Sequence, residues 1–322
     1  MRNKPKQQIL KSLNRVGYSL ITCFFVSASH ADVPNVVTDI APTHSLVSMI
    51  MKSIGEPKLL IKANENPHDY RLRPSKAKAL EQANIVFWIS SGLTPSLAKT
   101  IPNIANSAEL VELIKLEGAE ILYMRENVAF AEEDHGHSEN HDEHDEHDEH
   151  ENVDPHAWLS INNGMNWLDK IANKLSILDP ENQNQYQKNA QLAKLELSQT
   201  GEKIEKMLAS KNDGNFLVYH DAYQYFEKSF NINATGAVQL GDATDPSPAE
   251  LIVLQNKVKE LKIECVFTNP QIDPRLLGSI FNDLNLEIGT LDPFGIDLDI
   301  GSNLYNKLLI KTATNIANCL KK

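Results

Sequence analysis

The chain has 322 residues, of which 41% are hydrophobic and 23% are charged, a balance typical of a globular protein. Its length allows two domains of ordinary size, each with its own core. Lysine and arginine number 31 against 43 aspartates and glutamates, which gives a formal charge of −12. So acidic a chain is not expected to bind nucleic acid or an anionic membrane surface.

The first 31 residues have the pattern of an export signal. Five bases and no acid accompany an apolar stretch, "VGYSLITCFFVSAS", that is too short for a permanent membrane span. "SHA" then supplies a small-x-small cleavage site, so we expect cleavage after Ala31 and removal of residues 1–31. Lipidation at Cys23 is the alternative, although Ile21 and Thr22 make a poor lipobox. Losing five bases and no acid takes the formal charge from −12 to −17.

Strand-like apolar runs alternate with helical patterns in two blocks. The first block reads, in chain order, as "NVVTDI" (strand), "HSLVSMIMKSI" (helix), "KLLIKA" (strand), "PSKAKALEQA" (helix), "NIVFWIS" (strand) and "PSLAKTIPNIAN" (helix). The second reads as "NFLVYH" (strand), "DAYQYFEKSF" (helix), "SPAELIVLQNKVKELK" (helix), "ECVFTN" (strand), "PRLLGSIFNDL" (helix), "LEIGTLD" (strand) and "SNLYNKLLIKTATNIANCL" (helix). This alternation predicts a parallel sheet in each block.

A strongly helical stretch, residues 180–210, separates the two blocks, with Gly201 as its one weak position. The predicted fold class is therefore α/β, with two lobes that each contain a mainly parallel sheet flanked by helices. A long rigid helix joins the lobes and is expected to limit hinge motion. The predicted boundaries are 32–160 for the first lobe, 161–211 for the linking helical segment and 212–322 for the second lobe.

Two cysteines, Cys265 and Cys319, remain once Cys23 leaves with the signal. An even pair in an exported chain indicates one disulfide, and two free buried thiols are the alternative.

Residues 132–151 form a tract with eleven acids, six histidines and no base. The composition predicts disorder, and a disordered chain can still collect metal ions through its imidazoles. We expect the tract to hold at least one weakly bound zinc ion through the histidines His135, His137, His141, His144, His147 and His150.

Four histidines lie outside the signal and the tract. His68, His156 and His220 stand where strands end or where the chain re-enters the fold, and Asp292 ends the last predicted strand. Ligands of open parallel sheets bind at the carboxyl ends of the strands, and separated imidazoles with an acid suit Zn²⁺. His44 is assigned to a helix start instead, where it serves the backbone.

At "NPHDYRLRPSKAKAL" the chain resembles the zinc-binding substrate proteins of bacterial zinc ABC importers, within a group that also carries manganese. The resemblance continues through "VDPHAWLS", "FLVYHDAYQYFEK", "ECVFTNPQI" and "LDPFGID". It implies two α/β lobes joined by one long helix, and it makes His68, His156 and His220 the three imidazole ligands. Manganese relatives usually carry an acid in place of His220, which favours zinc.

The resemblance leaves the fourth ligand open. Some zinc relatives use a glutamate just before the first histidine, but Pro67 stands there, and Glu65 is out of register. Asp292 matches an acid that ligates metal in manganese relatives. Its expected role is a fourth ligand, an acceptor for a histidine N–H or the residue that holds a bound water. The resemblance also places the acidic histidine tract in the first lobe and the Cys265–Cys319 disulfide in the second.

The expected function is capture of Zn²⁺ in the cleft between the lobes and its delivery to an inner-membrane zinc ABC permease. The expected protein is a periplasmic monomer, not an enzyme, and periplasmic zinc-donating proteins are further candidate partners. One alternative is a manganese-binding or adhesin member of the same group. Another is an exported zinc hydrolase, but no HExxH or similar motif is present.

Overall fold

The computed structural model describes most of the chain beyond the export signal. The described residues are 33–130, 152–211, 215–240, 247–263, 265–270, 273–281 and 286–320. The predicted signal, residues 1–31, and the acidic histidine tract, residues 132–151, lie outside them. Within the described residues, no helix is long and apolar enough to cross a membrane.

The first lobe is built on a parallel four-stranded sheet with the order β2-β1-β3-β4. Its strands are β1 (Val36–Thr38), β2 (Lys58–Leu59), β3 (Ile85–Trp88) and β4 (Glu109–Glu112). The helices α1 (Ala41–Ile50), α2 (Pro74–Glu81) and α3 (Pro95–Ile104) lie between them in the chain. Every residue of the central strands β1 and β3 is buried, as expected for a sheet covered on both faces.

Two consecutive antiparallel helices follow, α4 (Ile161–Leu178) and α5 (Gln183–Leu208). With 26 residues, α5 is about 39 Å long. It packs against α1 of the first lobe and against the C-terminal helix of the second. The start of α4 approaches α5 closely at Gly201, because a Cβ there would lie 2.9 Å from Cδ1 of Ile161. The glycine that weakens the helical pattern thus permits close helix packing.

The second lobe repeats the same strand order, β6-β5-β7-β8, again with parallel strands. Its strands are β5 (Phe216–His220), β6 (Ala234–Gln239), β7 (Cys265–Thr268) and β8 (Glu287–Thr290). Its helices are α6 (Gln224–Phe230), α7 (Pro248–Leu261), α8 (Pro274–Ile280) and α9 (Leu304–Cys319). A capping box starts α7, with Ser247 and Glu250 bonded reciprocally to each other's backbone N–H groups.

The predicted disulfide is confirmed. Cys265, the first residue of β7, is bonded to Cys319, the last residue of α9, and their Cα atoms are 5.9 Å apart. The bond ties the C-terminal helix to a central strand of the second sheet. The expected α/β architecture of two parallel sheets with a long helix between them is confirmed as well.

A second connection between the lobes was not anticipated from the sequence. The interlobe segment, residues 121–130, leaves the first lobe and pairs antiparallel with the edge strand β6 through Ala129 and Gly236. The N–H of Ala237 donates to the carbonyl of Val128 at 2.9 Å. A Cβ on Gly236 would lie 2.4 Å from that same carbonyl oxygen, so only glycine allows this approach.

Candidate metal centre

His220 is the last residue of β5, a central strand of the second sheet. The strand is buried up to this residue, and His220 itself is half-buried and lines a cleft. The backbone is fixed here by pairing with Gln239 at the end of β6. The sheet therefore sets where this imidazole stands, as the strand-end rule predicts.

His156 lies in the turn that leads into α4 and is only 3% exposed. Its Nδ1 donates to Oδ1 of Asp154 at 2.7 Å, and its backbone N–H donates to the same oxygen at 2.9 Å. Its ring lies 5.3 Å, between centroids, from the fully buried indole of Trp158. With Nδ1 occupied as a donor, Nε2 carries the lone pair that a metal ion needs.

The two imidazoles meet at the spacing of one metal ion. Nε2 of His156 and Nε2 of His220 are 3.2 Å apart, and the ring centroids are 5.0 Å apart. Two nitrogens bound to one tetrahedral zinc at about 2.05 Å lie roughly 3.3 Å apart. The separation of these two nitrogens is therefore close to that of two ligands of one tetrahedral ion.

His68 reaches the same cleft from a loop, nine residues beyond the end of β2. Its backbone N–H donates to Oδ1 of Asn66, and an ion pair of 2.6 Å between Glu65 and Arg73 closes the loop around it. Its ring centroid is 6.0 Å from that of His156. In the part of the chain that the structure describes, no three His, Cys, Asp or Glu side chains yet surround a point that could hold an ion.

The carboxylate of Asp292 is hydrogen-bonded within its own turn. Its carboxylate accepts three backbone N–H groups, from Phe294 at 2.9 Å, Gly295 at 2.9 Å and Ile296 at 2.5 Å. It is 5% exposed and does not line the cleft that contains the histidines. It shapes the turn whose Pro293 carbonyl accepts the indole N–H of Trp158 at 2.8 Å. This turn is thus bonded to Trp158, whose ring lies beside that of His156.

His44 lies away from the cleft, as expected. Its Nε2 donates to the carbonyl of Pro57 at 3.0 Å, and its Nδ1 is 3.3 Å from the hydroxyl of Ser48. Burial lowers the pKa of this imidazole, which keeps it neutral. Both ring nitrogens thus serve the first lobe.

Two residues of the site, Asp154 and Gln224, were missed by the sequence analysis. Asp154 is 1% exposed, and its Oδ2 accepts a hydrogen bond from Nε2 of Gln224 at 2.5 Å. Burial by itself raises the pKa of Asp154, but its interactions with His156 hold the pKa below its usual value. The signal was an acid two residues before a histidine in "VDPHAWLS", the spacing of a side chain that caps its own turn.

An ion-pair cluster next to the cleft was also missed. Arg125 of the interlobe segment donates to Glu227 at 2.8 Å and lies 3.6 Å from the carboxylate of Asp221. Its guanidinium lies 3.8 Å from the centroid of the Phe130 ring. Burial raises the pKa of Asp221 to about 7, although Arg125 opposes this shift. The cluster attaches the interlobe segment to the second lobe.

The chain is similar to proteins of known function over nearly its whole length. A family model described as zinc-uptake complex component A, periplasmic, matches residues 36–319. The high-affinity zinc uptake system protein ZnuA of Brucella suis biovar 1 is 34% identical over 306 residues, covering 89% of this chain and 92% of the relative. The protein of the same description from Paracoccus denitrificans is 34% identical over 308 residues, covering 91% and 93%.

Solved structures share the fold. A crystal structure of ZnuA has a TM-score of 0.74 at 22% identity and covers 90% of this chain and 100% of its own. A mutant of the laminin-binding adhesin Lmb from Streptococcus agalactiae has a TM-score of 0.73 at 20% identity, covering 89% and 100%. At these identities the likeness concerns architecture alone.

Proposed function

This chain belongs to the family of periplasmic zinc-uptake components, and from that premise we propose that it captures Zn²⁺ between its lobes for an ABC importer. The ion is cargo, and no chemistry on a substrate is involved. His68, His156 and His220 are the proposed ligands, one from a loop of the first lobe, one from the turn before α4 and one from β5.

The 3.2 Å separation between the Nε2 atoms of His156 and His220 is the observation that carries this proposal. His68 closes onto this pair from the facing loop and makes the third bond. We assign the fourth position to water, because the carboxylate of Asp292 is already occupied by three backbone N–H groups. The cleft, about 350 Å³ including its open mouth, has room for that water.

Crystals grown with zinc and measured on both sides of the zinc absorption edge test the ligand set. We expect one strong anomalous peak within about 2.1 Å of an imidazole nitrogen of each of the three histidines. A peak bonded to Asp292 would contradict the water assignment alone. A strong peak away from the three histidines, with none between them, would contradict the proposal itself. Competition between Zn²⁺ and Mn²⁺ in solution should favour zinc, since manganese prefers oxygen ligands.

We propose an accessory role for the acidic histidine tract, residues 132–151, as a weak zinc collector. Its support is its composition and the placement of its described flanks. Before it, Phe130 donates its N–H to the carbonyl of Thr235 in β6, and after it, Val153 pairs with Tyr123. The tract therefore ends three residues before Asp154, which lines the cleft.

Deletion of residues 133–151 tests the accessory role. We expect calorimetric titration to show fewer zinc equivalents per chain, with the tight equivalent unchanged. Loss of all tight binding on deletion would contradict the assignment of the tight site to the folded lobes.

Export and delivery are the remaining parts of the proposal. We expect the mature protein to begin at Asp32, to be a periplasmic monomer without hydrolase activity in its zinc form, and to deliver Zn²⁺ to an inner-membrane permease. Mass spectrometry of the periplasmic fraction checks the first residue, and a lipid-modified Cys23 would contradict it. Zinc uptake into proteoliposomes that contain the permease checks delivery.

A further inference from the structure

Asp154 is a buried carboxylate whose two oxygens are held from opposite sides. Oδ1 accepts the two N–H groups of His156 that lie in its own turn, at 2.7 and 2.9 Å. Oδ2 accepts from Gln224, which belongs to the second lobe, at 2.5 Å. At 1% exposure, solvent cannot replace either set of donors.

Gln224 is placed rigidly with respect to one of the proposed ligands. It is the first residue of α6 and follows His220, the end of β5, by four positions. Its Nε2 donates a second hydrogen bond, to the carbonyl of Tyr123 at 3.0 Å. Tyr123 pairs with Val153, next to Asp154. One amide group therefore holds both the turn of His156 and the segment that pairs beside it.

The chemistry of this position favours an amide. A carboxylate at residue 224 would repel Asp154, and an apolar side chain would leave Oδ2 buried without a donor. A lysine would satisfy Oδ2, but it would add a positive charge to the cleft that receives a divalent cation. A glutamine donates without adding charge.

We propose that Gln224 is a positioning residue for zinc capture. By holding Asp154, it sets the ring orientation of His156 from the second lobe, so that Nε2 of His156 meets Nε2 of His220 at the spacing of one tetrahedral ion. The proposal rests on the proposed function, since it assumes that these two imidazoles share one zinc ion. Groups that orient a ligand histidine in this way change metal affinity by about 10- to 100-fold.

Gln224→Leu tests the proposal, with Gln187→Leu as the matched control. Gln187 is also half-buried, and its Nε2 also donates two hydrogen bonds, to Asn173 at 2.9 Å and Ser176 at 3.2 Å. These bonds join α5 to α4, whereas those of Gln224 join the two lobes at the cleft. Both variants should lower the melting temperature of the zinc-free protein, because each loses two hydrogen bonds.

Only Gln224→Leu should weaken zinc binding, by about 10- to 100-fold in chelator competition. Only this variant should also change the visible absorption of bound Co²⁺, which reports ligand geometry. A folded Gln224→Leu protein with unchanged affinity and an unchanged Co²⁺ spectrum would overturn the proposal, as would an equal loss of affinity in Gln187→Leu. Gln224→Ala, a good helix former, serves if the leucine variant does not fold.

The proposed function has a separate outcome in the same experiment. If the wild-type protein and His156→Ala bind zinc equally well, the imidazole site itself is wrong. If His156→Ala loses tight binding while Gln224→Leu and Gln224→Ala keep it, only the role of Gln224 is wrong.

Discussion

The two lobes share one strand order but present their proposed metal ligands differently. The equivalent strands β1 and β5 each end beside a buried acid, Asp39 in the first lobe and Asp221 in the second. In the second lobe the residue before this acid is His220, so the ligand stands on the sheet itself. In the first lobe the same position is Thr38, and the proposed ligand His68 comes from a loop.

The difference determines which ligands are arranged before metal arrives. A strand-end imidazole needs no further support, since its backbone is held by neighbouring strands. A loop imidazole depends on ties such as the Glu65–Arg73 ion pair, which is largely exposed on the arginine side and therefore weak. We infer that His156 and His220 make the first contacts with zinc and that His68 closes last. This order of binding follows because the ligand that moves must belong to the less rigidly held segment, which is the loop of His68.

The largest expected effect is the removal of a ligand of the preformed pair. A nanomolar dissociation constant corresponds to a binding free energy of roughly 12 kcal/mol. If three imidazoles contribute equally, each contributes about 4 kcal/mol. His220→Ala should therefore weaken zinc binding about a thousandfold in chelator competition. His44→Ala is the matched control and should leave the affinity unchanged, because both ring nitrogens of His44 serve the first lobe. A comparable loss in both variants would refute the assignment.

Reduction of the disulfide should destabilise the second lobe more than the first. The Cys265–Cys319 bond closes a separation of 54 residues in the second lobe, worth about 4 kcal/mol in the chain-entropy model. Cys319→Ser or a reductant should accelerate hydrogen exchange in β7 and α9 and change β1 little. Equal acceleration in both sheets would mean that the lobes unfold as a single unit.

Asp39, the buried acid beside the end of β1, should make the free energy of unfolding depend on pH. Burial raises the pKa of Asp39 to about 6, above an ordinary value of 3.8, so the folded state binds the proton more tightly than the unfolded state. The stability gained from protonation is present below about pH 4 and lost as pH rises to about 6, roughly 3 kcal/mol in all. The free energy of unfolding of the zinc-free wild type, relative to Asp39→Asn, should fall by this amount over that window. Denaturant titrations at several pH values measure it, and a constant difference would contradict it.

The smallest expected effect concerns the second connection between the lobes. In Gly236→Ala the new methyl would collide with the carbonyl of Val128, which should cost about 1–3 kcal/mol of stability and loosen the interlobe segment. Gly278→Ala in α8 is the control, since nothing lies within 4 Å of its Cβ and alanine favours a helix. Differential scanning calorimetry compares them. If Gly236→Ala were as stable as Gly278→Ala, the antiparallel pairing would not connect the lobes.

The helices and central strands were the most predictable part of the fold. Proline starts four of the helices, at Pro74, Pro95, Pro248 and Pro274, and the Ser247–Glu250 pair caps one of them. The edge strands β4 and β6 were missed, and α4 was included only as part of the linking helical segment, residues 161–211. In β6 the reason is visible, because Gly236 breaks the apolar pattern where the interlobe segment must approach.

Part of the candidate site could also be predicted from the sequence. The strand-end rule and the family motifs selected the three histidines that line the cleft, but neither indicated that Gln224 supports Asp154. That contact joins residues 70 positions apart. For Asp292, whose expected role was a fourth ligand, an acceptor for a histidine N–H or the residue that holds a bound water, the structure shows a carboxylate that accepts three backbone N–H groups of its own turn.

The sequence by itself determined the local choices: where helices begin, which strands are buried, which cysteines pair, and that the chemistry belongs to imidazole and carboxylate. These features depend on residues a few positions away or on the number of residues of one type, so they can be inferred from the sequence. Only the tertiary structure decided that two of the imidazoles stand 3.2 Å apart and that an amide of the second lobe orients one of them. Such distances result from how two sheets, a long helix and the interlobe segment pack together, and packing depends on contacts between residues that are far apart in the chain.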